Sequence, residues 1–565
     1  MAPPNGCGTS KLLKVGMLPG WPLRTLRTVV RSDLWRASHG PVAWTWGLSL
    51  AVILTGGMVF ADFCIIDDWL VTRFLAPGDG LPFSRIWPAL LETEVGGIGA
   101  AGRFRPIFFL HLELETWLFG DQPSLYRVLR VVYFGLFLGA ASRIAARCIG
   151  LLPGLLMVGG IAGLGFWSNV WTRSLGPAEQ SAVFGIALFL VACDTIIPRF
   201  VLGRRIPGWA LPVASMGVAI AAGSKENFVF LLVLLCPAAL TMAVMRRLSP
   251  VSAILALPPL MVAMLVIYAL HALAGNSQDF YGADNSITHR LTAMLALPQL
   301  VSQPFLVPFA LAASGLAVPL AVLAYRRSPL PLPQRLRVIV VFLGFTGFLV
   351  LYELWELFFY NGRLPSGIRY DFPILLLPLS IALGFAAFTG HALLPGGGRR
   401  WRSVQLTFLA LTILYLYQYR PTFSLPAAVN GAVARTTEFR RAFHGLQIIV
   451  SKHPDWPIIL EPNRPWDFEA VYAFNVWQKF FGVTNPLLLR VEVAPKDNHD
   501  TFEQWLTDQM QTWATVGLPG TFQPLPDPAS LAGLDGRCFG IGYWRPIVSP
   551  CTPLEFRPKR YLPRG

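Results

Sequence analysis

The chain has 565 residues, is 54% hydrophobic but only 14% charged, and carries a formal net charge of +15, with a mean hydropathy of +0.52. That balance excludes a soluble globular domain of this size and places the chain in a bilayer. The arginines fall in short clusters between apolar runs, not on one continuous face, so they read as topology signals and not as a nucleic-acid surface.

Residues 1–43 come first and hold Lys11, Lys14, Arg24, Arg27, Arg31 and Arg36, with no apolar core or small-residue cleavage site ahead of them. They are expected to remain as a basic cytoplasmic tail. A membrane helix needs about 20 mostly apolar residues. Runs of that kind lie at 44–61, 125–142, 149–169, 180–197, 208–223, 227–245, 251–273, 303–325, 337–359, 371–391 and 403–419. The expectation is therefore an all-α polytopic domain of about 11 spans over 44–420, with two runs nearly fused at Gly223-Ser224-Lys225-Glu226-Asn227.

Cytoplasmic loops collect Lys and Arg. From a cytoplasmic N-terminus, the inner loops hold Arg143 and Arg147, then Arg199, Arg204 and Arg205, then Arg246 and Arg247, then Arg326, Arg327, Arg335 and Arg337, then Arg399, Arg400 and Arg402. The outer segments, led by a long loop at 62–124, carry nearly all the carboxylates. An odd number of spans leaves 421–565 outside. A helical stretch around 436–451 and the strand-like runs Pro457-Ile458-Ile459-Leu460 and Leu487-Leu488-Leu489-Arg490-Val491 predict a small extracytoplasmic α/β domain there.

The seven cysteines are too scattered for a metal cage. Cys538 and Cys551 lie close together in the external tail, where a disulfide is expected.

The first outer loop opens on Asp67-Asp68, directly after the first span. Adjacent carboxylates repel each other, which raises at least one pKa and suits a general base; the plainer reading is a solvated helix end. Arg103-Phe104-Arg105-Pro106 then leads into an apolar helix carrying His111 and Glu115 four residues apart, a platform against the membrane or the bundle. A histidine on such a helix is more often structural than catalytic.

Lys225 and Glu226 interrupt an apolar stretch, where each costs about 2.5–3.5 kcal/mol on insertion scales. They are either an ion pair holding a kink, or a cation for a phosphate with a carboxylate that orients the ligand. Arg369, followed by Tyr370, starts a late span from the outer side, where its fork matches phosphate oxygens or snorkels to headgroups. Glu179 is a weaker candidate of the same type. Phosphate loop, dinucleotide fingerprint, zincin motif and nucleophile elbow are all missing, which argues against an energy-coupled pump.

In their order and common side, Asp67-Asp68, the long first outer loop and Arg369-Tyr370 resemble the GT-C superfamily of integral-membrane glycosyltransferases. That superfamily includes the protein O-mannosyltransferases, the aminoarabinose lipid A transferases and the mycobacterial arabinosyltransferases. Arg103-Phe104-Arg105-Pro106 and Ser224-Lys225-Glu226-Asn227 are similar to segments of the transmembrane and tetratricopeptide-repeat O-mannosyltransferases, though this chain has no repeat array after the last expected span.

The resemblance implies a polyprenyl-phosphate-sugar donor and a glycan, lipid or protein acceptor, on the extracytoplasmic face of a bacterial inner membrane. It implies inverting transfer with Asp67 or Asp68 as base and Lys225, Arg369 and Arg105 facing the donor phosphate. Glu226, Glu179, Arg103, His111 and Tyr370 would orient substrate. No cofactor is expected, and one adjacent acidic pair is a poor divalent-cation site by itself. The competing readings are an oligosaccharide ligase or polymerase and a lipid-linked-glycan flippase or transporter.

Overall fold

The computed structural model describes residues 40–64, 67–75, 80–94, 105–201, 204–232, 286–296, 354–358, 424–461, 468–489, 523–524, 539–542 and 548–550, with single residues or pairs at 235, 261–262, 264–265, 332–333, 336, 351–352, 406, 410 and 413. Among them, three helices are long and apolar enough to cross a membrane: α1 (Gly40–Phe60), the first 25 residues of α5 (Pro123–Ile149), and α8 (Glu179–Val201) up to Phe200. They fall on the expected runs 44–61, 125–142 and 180–197. The eleven-span count rests on segments that lie mostly outside the described residues.

Between α1 and α5 the chain forms α2 (Trp69–Thr72), α3 (Phe83–Glu94) and α4 (Pro106–Phe119). Proline opens both α4 and α5 at their first turn, where its fixed φ suits the helix and its missing N–H is not needed. The run expected as a single span at 149–169 is instead two helices, α6 (Leu151–Ala162) and α7 (Phe166–Trp171). Its start is set by Gly150, whose φ of 102° is open to glycine. α9 (Ala210–Ser224) lies along α8 at very short range. A Cβ on Gly185 would sit 2.4 Å from the Gly217 carbonyl oxygen, and one on Gly217 would sit 2.5 Å from that of Gly185. Small residues that let backbones approach are how helices pack where the surrounding solvent is itself apolar.

Toward the C-terminus, α10 (Leu425–Val450) is followed by β1 (Ile458–Glu461), α11 (Phe468–Phe480), β2 (Leu487–Leu489), β3 (Gln523–Pro524), β4 (Phe539–Gly542) and β5 (Val548–Pro550). The strands form one sheet in the order β3-β2-β1-β4-β5. It is parallel except between β4 and β5, with Ile458 opposite both Leu487 and Phe539. The helix crossover between the parallel strands β1 and β2 is the connection such pairing requires.

This C-terminal unit has no separate core among the described residues. Phe443, Leu446, Ile458, Phe474 and Trp477 belong to the same buried cluster as Phe63, Trp69, Leu70, Phe108, Leu112 and Tyr126 from the loop after α1 and from α2, α4 and α5. Phe63 lies 5.7 Å from Tyr126 and 6.3 Å from Trp477, ring to ring. A second cluster binds Leu425, Val429 and Ala432 of α10 to Met58, Phe134, Trp167 and Trp171.

Candidate functional site

The acidic pair after α1 splits into two environments. Asp68 is fully buried: its Oδ1 accepts the Leu175 N–H at 2.5 Å, and its Oδ2 accepts the Cys64 N–H at 2.6 Å and Arg127 Nη2 at 3.2 Å. Burial pushes its carboxyl up to about 6, against the pull of Arg127 and of both backbone N–H groups. The neighbouring carboxylate of Asp67, expected to drive such a shift, contributes least. Asp68 therefore ties the loop to Leu175 and to α5.

Asp67 keeps 20% of its side chain exposed. Its φ of 67° is unusual for a residue other than glycine, a strain that turns the chain between the two acids. Oδ2 accepts the Ser174 hydroxyl at 3.0 Å and lies 3.7 Å from Arg173 Nε, whose side chain is 43% exposed. Gly176 leaves the room for this: a Cβ there would sit 2.2 Å from that of Asp67.

A buried polar network extends from this point across α4, α5 and α8. Arg130, one turn along α5 from Arg127, grips both oxygens of Glu115 and donates from Nε to Gln180 Oε1 at 2.7 Å. Gln180 in turn donates to the Val170 and Ser174 carbonyls at 2.6 and 2.9 Å. Burial alone would raise the Glu115 carboxyl, but Arg130 and His111 outweigh it and hold it down at about 2. His111 sits 2.9 Å from Glu115 Oε1, hydrogen-bonds Tyr133 through Nε2, and meets Ser181 Oγ at 3.0 Å through Nδ1.

Lys225 follows the end of α9 in an extended conformation, φ −151° and ψ 131°, and is ion-paired to Glu179 at the first residue of α8, both side chains buried. The sequence left Lys225 either mutually paired with Glu226 or facing a phosphate; the described ion pair is with Glu179, and the Glu226 side chain lies outside the described residues. Glu226 opens the 3-10 turn Glu226–Val229. Asn227 donates to Glu356 Oε1 at 2.9 Å, while Asn227 Oδ1 is buried with no hydrogen-bond partner among the described residues. The Arg105 backbone N–H donates to Glu94 Oε2 at 3.0 Å. Arg103, Arg369, Tyr370, Cys538 and Cys551 lie outside the described residues.

The network thus joins Asp67, Asp68, His111 and Glu115, and Glu179, paired to Lys225, precedes Gln180 in the chain. The sequence reading did not single out Arg127, Arg130, Arg173, Ser174 and Gln180 as partners. Among the described residues, no three His, Cys, Asp or Glu side chains converge as a metal-binding group.

Glu113, on the face of α4 turned toward Arg73, is 1% exposed, and neither of its oxygens has a hydrogen-bond partner among the described residues. Burial, reinforced by Glu92, pushes its carboxyl up to about 8 although Arg73 pulls the other way. The unfolded chain releases this proton near 4.5 while the folded chain retains it to about 8, so the contribution to stability is complete below the lower value and is lost as pH rises through the higher one. Glu113→Gln, which mimics the protonated group, is expected to remove that decline. It should be more stable than the unmodified protein at pH 8.5 by up to about 4 kcal/mol and come close to it near pH 5. Thermal melts at the two pH values check this, and equal differences at both would reject it.

No protein-family model matches the chain, and no curated protein sequence matches it.

Proposed function

We propose that the chain is an inverting glycosyltransferase that moves a sugar from a polyprenyl-phosphate donor to a glycan, lipid or protein hydroxyl on the extracytoplasmic face of a bacterial inner membrane. In this reading it has about eleven spans, and the unit built on α10, α11 and the sheet lies outside. The observation that carries it is Asp67, a partly exposed carboxylate in a left-handed turn, aligned by Ser174 and Arg173 and set against a buried ionic network.

The acceptor oxygen attacks the anomeric carbon and gives its proton to Asp67, while the bond from that carbon to the lipid phosphate oxygen breaks with its electron pair leaving on the phosphate. Arg173 is the exposed cation nearest this carboxylate among the described residues, at 3.7 Å. A fixed unit charge at 4 Å from the leaving oxygen stabilises it by about 4 kcal/mol at an effective dielectric near 20. Arg369 and Arg105 support it in this scheme, and Lys225 supports the fold through Glu179.

The test is transfer of labelled sugar by the purified full chain, in detergent, from a panel of polyprenyl-phosphate sugars, with mass spectrometry of the lipid that co-purifies. Arg173→Ala is expected to raise the donor KM about tenfold without changing the melting temperature. Failure to transfer from any donor, with no polyprenyl phosphate bound, would overturn the reading.

A transport reading has one observation in its favour. The helix is broken at Lys225, and beside that break lies the Asn227 side-chain oxygen, buried and without a hydrogen-bond partner among the described residues. Movement of a polyprenyl-linked glycan across vesicles, without cleavage, would favour it over transfer.

A further inference from the structure

The opposite end of the helix bundle carries a charge surplus that the network above does not use. Near the C-terminal end of α5, Arg143 Nε lies 2.6 Å from Asp194 Oδ2 and Arg147 Nη1 lies 2.7 Å from Asp194 Oδ1, so two guanidiniums share one carboxylate on α8. The two arginine side chains remain about one third exposed, at 32% and 34%, while Asp194 is 7% exposed. A Cβ on Gly40 would lie 2.8 Å from Arg143 Nη1, so the first described turn of α1 meets the same place.

Further along α8, about 7.5 Å of rise beyond Asp194, comes Arg199, followed by Arg204 and Arg205, all exposed. Among the described residues none of these three has a carboxylate partner; Arg199 Nη1 reaches only the Arg205 carbonyl, at 3.4 Å. Arginines in a last turn favour the negative end of a helix, which accounts for Arg147 and Arg199. It does not account for the doubled occupancy of Asp194, nor for Arg204 and Arg205 beyond the helix end.

We propose that this end of the bundle is a binding site for the headgroup phosphodiester of an anionic phospholipid. Arg143, Arg147, Arg199, Arg204 and Arg205 supply the charge, and Asp194 spaces the first two. Guanidinium forks match phosphate oxygens bidentately. Large apolar side chains are exposed close to them in sequence: Ile197, two residues before Arg199, is 41% exposed and Trp209, four after Arg205, is 49% exposed. An acyl chain covers such residues, and a tryptophan at that depth sits at the headgroup boundary, so the occupant is a lipid and not a free anion. This site is independent of the glycosyltransferase reading.

The full chain is delipidated and returned to vesicles of phosphatidylcholine alone, or of the same lipid with one third phosphatidylglycerol, and its melting temperature is followed by tryptophan fluorescence. The unmodified protein is expected to melt at least about 2 °C higher with phosphatidylglycerol, a gain that shrinks as salt is raised. R199Q/R204Q/R205Q should keep the phosphatidylcholine value and lose the gain. D194N should melt lower in phosphatidylcholine, because Arg143 and Arg147 then repel each other, yet gain more than the unmodified protein from phosphatidylglycerol, whose phosphate replaces the carboxylate. A purely structural Asp194 would not enlarge that gain. Full gain in the triple variant overturns the proposal, as does an equal gain from inorganic phosphate added to phosphatidylcholine vesicles. Should the triple variant fail to fold, native mass spectrometry of D194N decides: more retained phosphatidylglycerol than in the unmodified protein supports the site, and no more overturns it.

Discussion

Asp67→Asn is expected to lower the rate of sugar transfer by about 10²–10⁴-fold while leaving the melting temperature within a degree or two of the unmodified protein. Amide and carboxylate have nearly the same shape, and Asn accepts the Ser174 hydroxyl as Asp does, so the turn at φ 67° is kept; Asn tolerates that backbone region as well as Asp. What disappears is a group able to take a proton. Asp68→Asn is expected to behave differently. Asp68 receives two backbone N–H groups and Arg127 in a fully buried place, so its amide leaves a guanidinium unneutralised and sets a second pair of N–H donors against a backbone N–H. Both stability and transfer should fall. Steady-state kinetics and thermal melts on the two variants separate a base from a structural anchor. Equal transfer by Asp67→Asn and the unmodified protein would remove Asp67 from the chemistry.

Arg130→Met is expected to cost about 3–5 kcal/mol of stability, because it leaves Glu115 as a buried, uncompensated charge. Arg130 closes three hydrogen bonds, two to Glu115 and one to Gln180, and so ties α4, α5 and α8 together. Pairing Arg130→Met with Glu115→Gln should recover most of that loss, since the cost of a broken buried pair is largely the charge left behind. The carboxyl of Glu115 is held at about 2. Its contribution is therefore present above the unfolded value near 4.5 and is lost as pH falls through about 2; in the single variant burial raises that carboxyl instead, so the penalty should be largest near pH 8 and shrink toward pH 5 as Glu115 takes up a proton. Equilibrium unfolding in detergent checks both statements, and a double variant as unstable as the single one would contradict the assignment.

Hydropathy made the three long helices legible, because a lipid-facing run of about 20 apolar residues has few alternatives. The helix ends were less so. α5 runs seven residues past the expected 142, since Arg143 and Arg147 find Asp194 on another helix. The expected span at 149–169 divided because a glycine-rich stretch, Gly163-Leu164-Gly165, separates α6 from α7 and satisfies its N–H groups through local turns. His111 and Glu115 were readable as neighbours from their spacing of four. Arg127 and Arg130 were not, because each sits inside an apolar run and its partner is up to 59 residues away in sequence. The same holds for Arg173, which meets Asp67 only once the turn at Gly176 brings the segments together. Charge within an apolar segment signals that a partner exists; it carries no information about which one.

The aromatic joint between Phe63 and Trp477 also sets an order of events during synthesis. Asp62 is held at its backbone N–H by Thr436 and at its carboxylate by Arg440, both on α10, five residues ahead of Asp67. When the ribosome has made α1 and the loop after it, the acidic turn exists as a peptide but has none of these supports. It acquires its native surroundings only after α10 and α11 have emerged, which ties maturation of this early turn to arrival of elements made near the end of the chain.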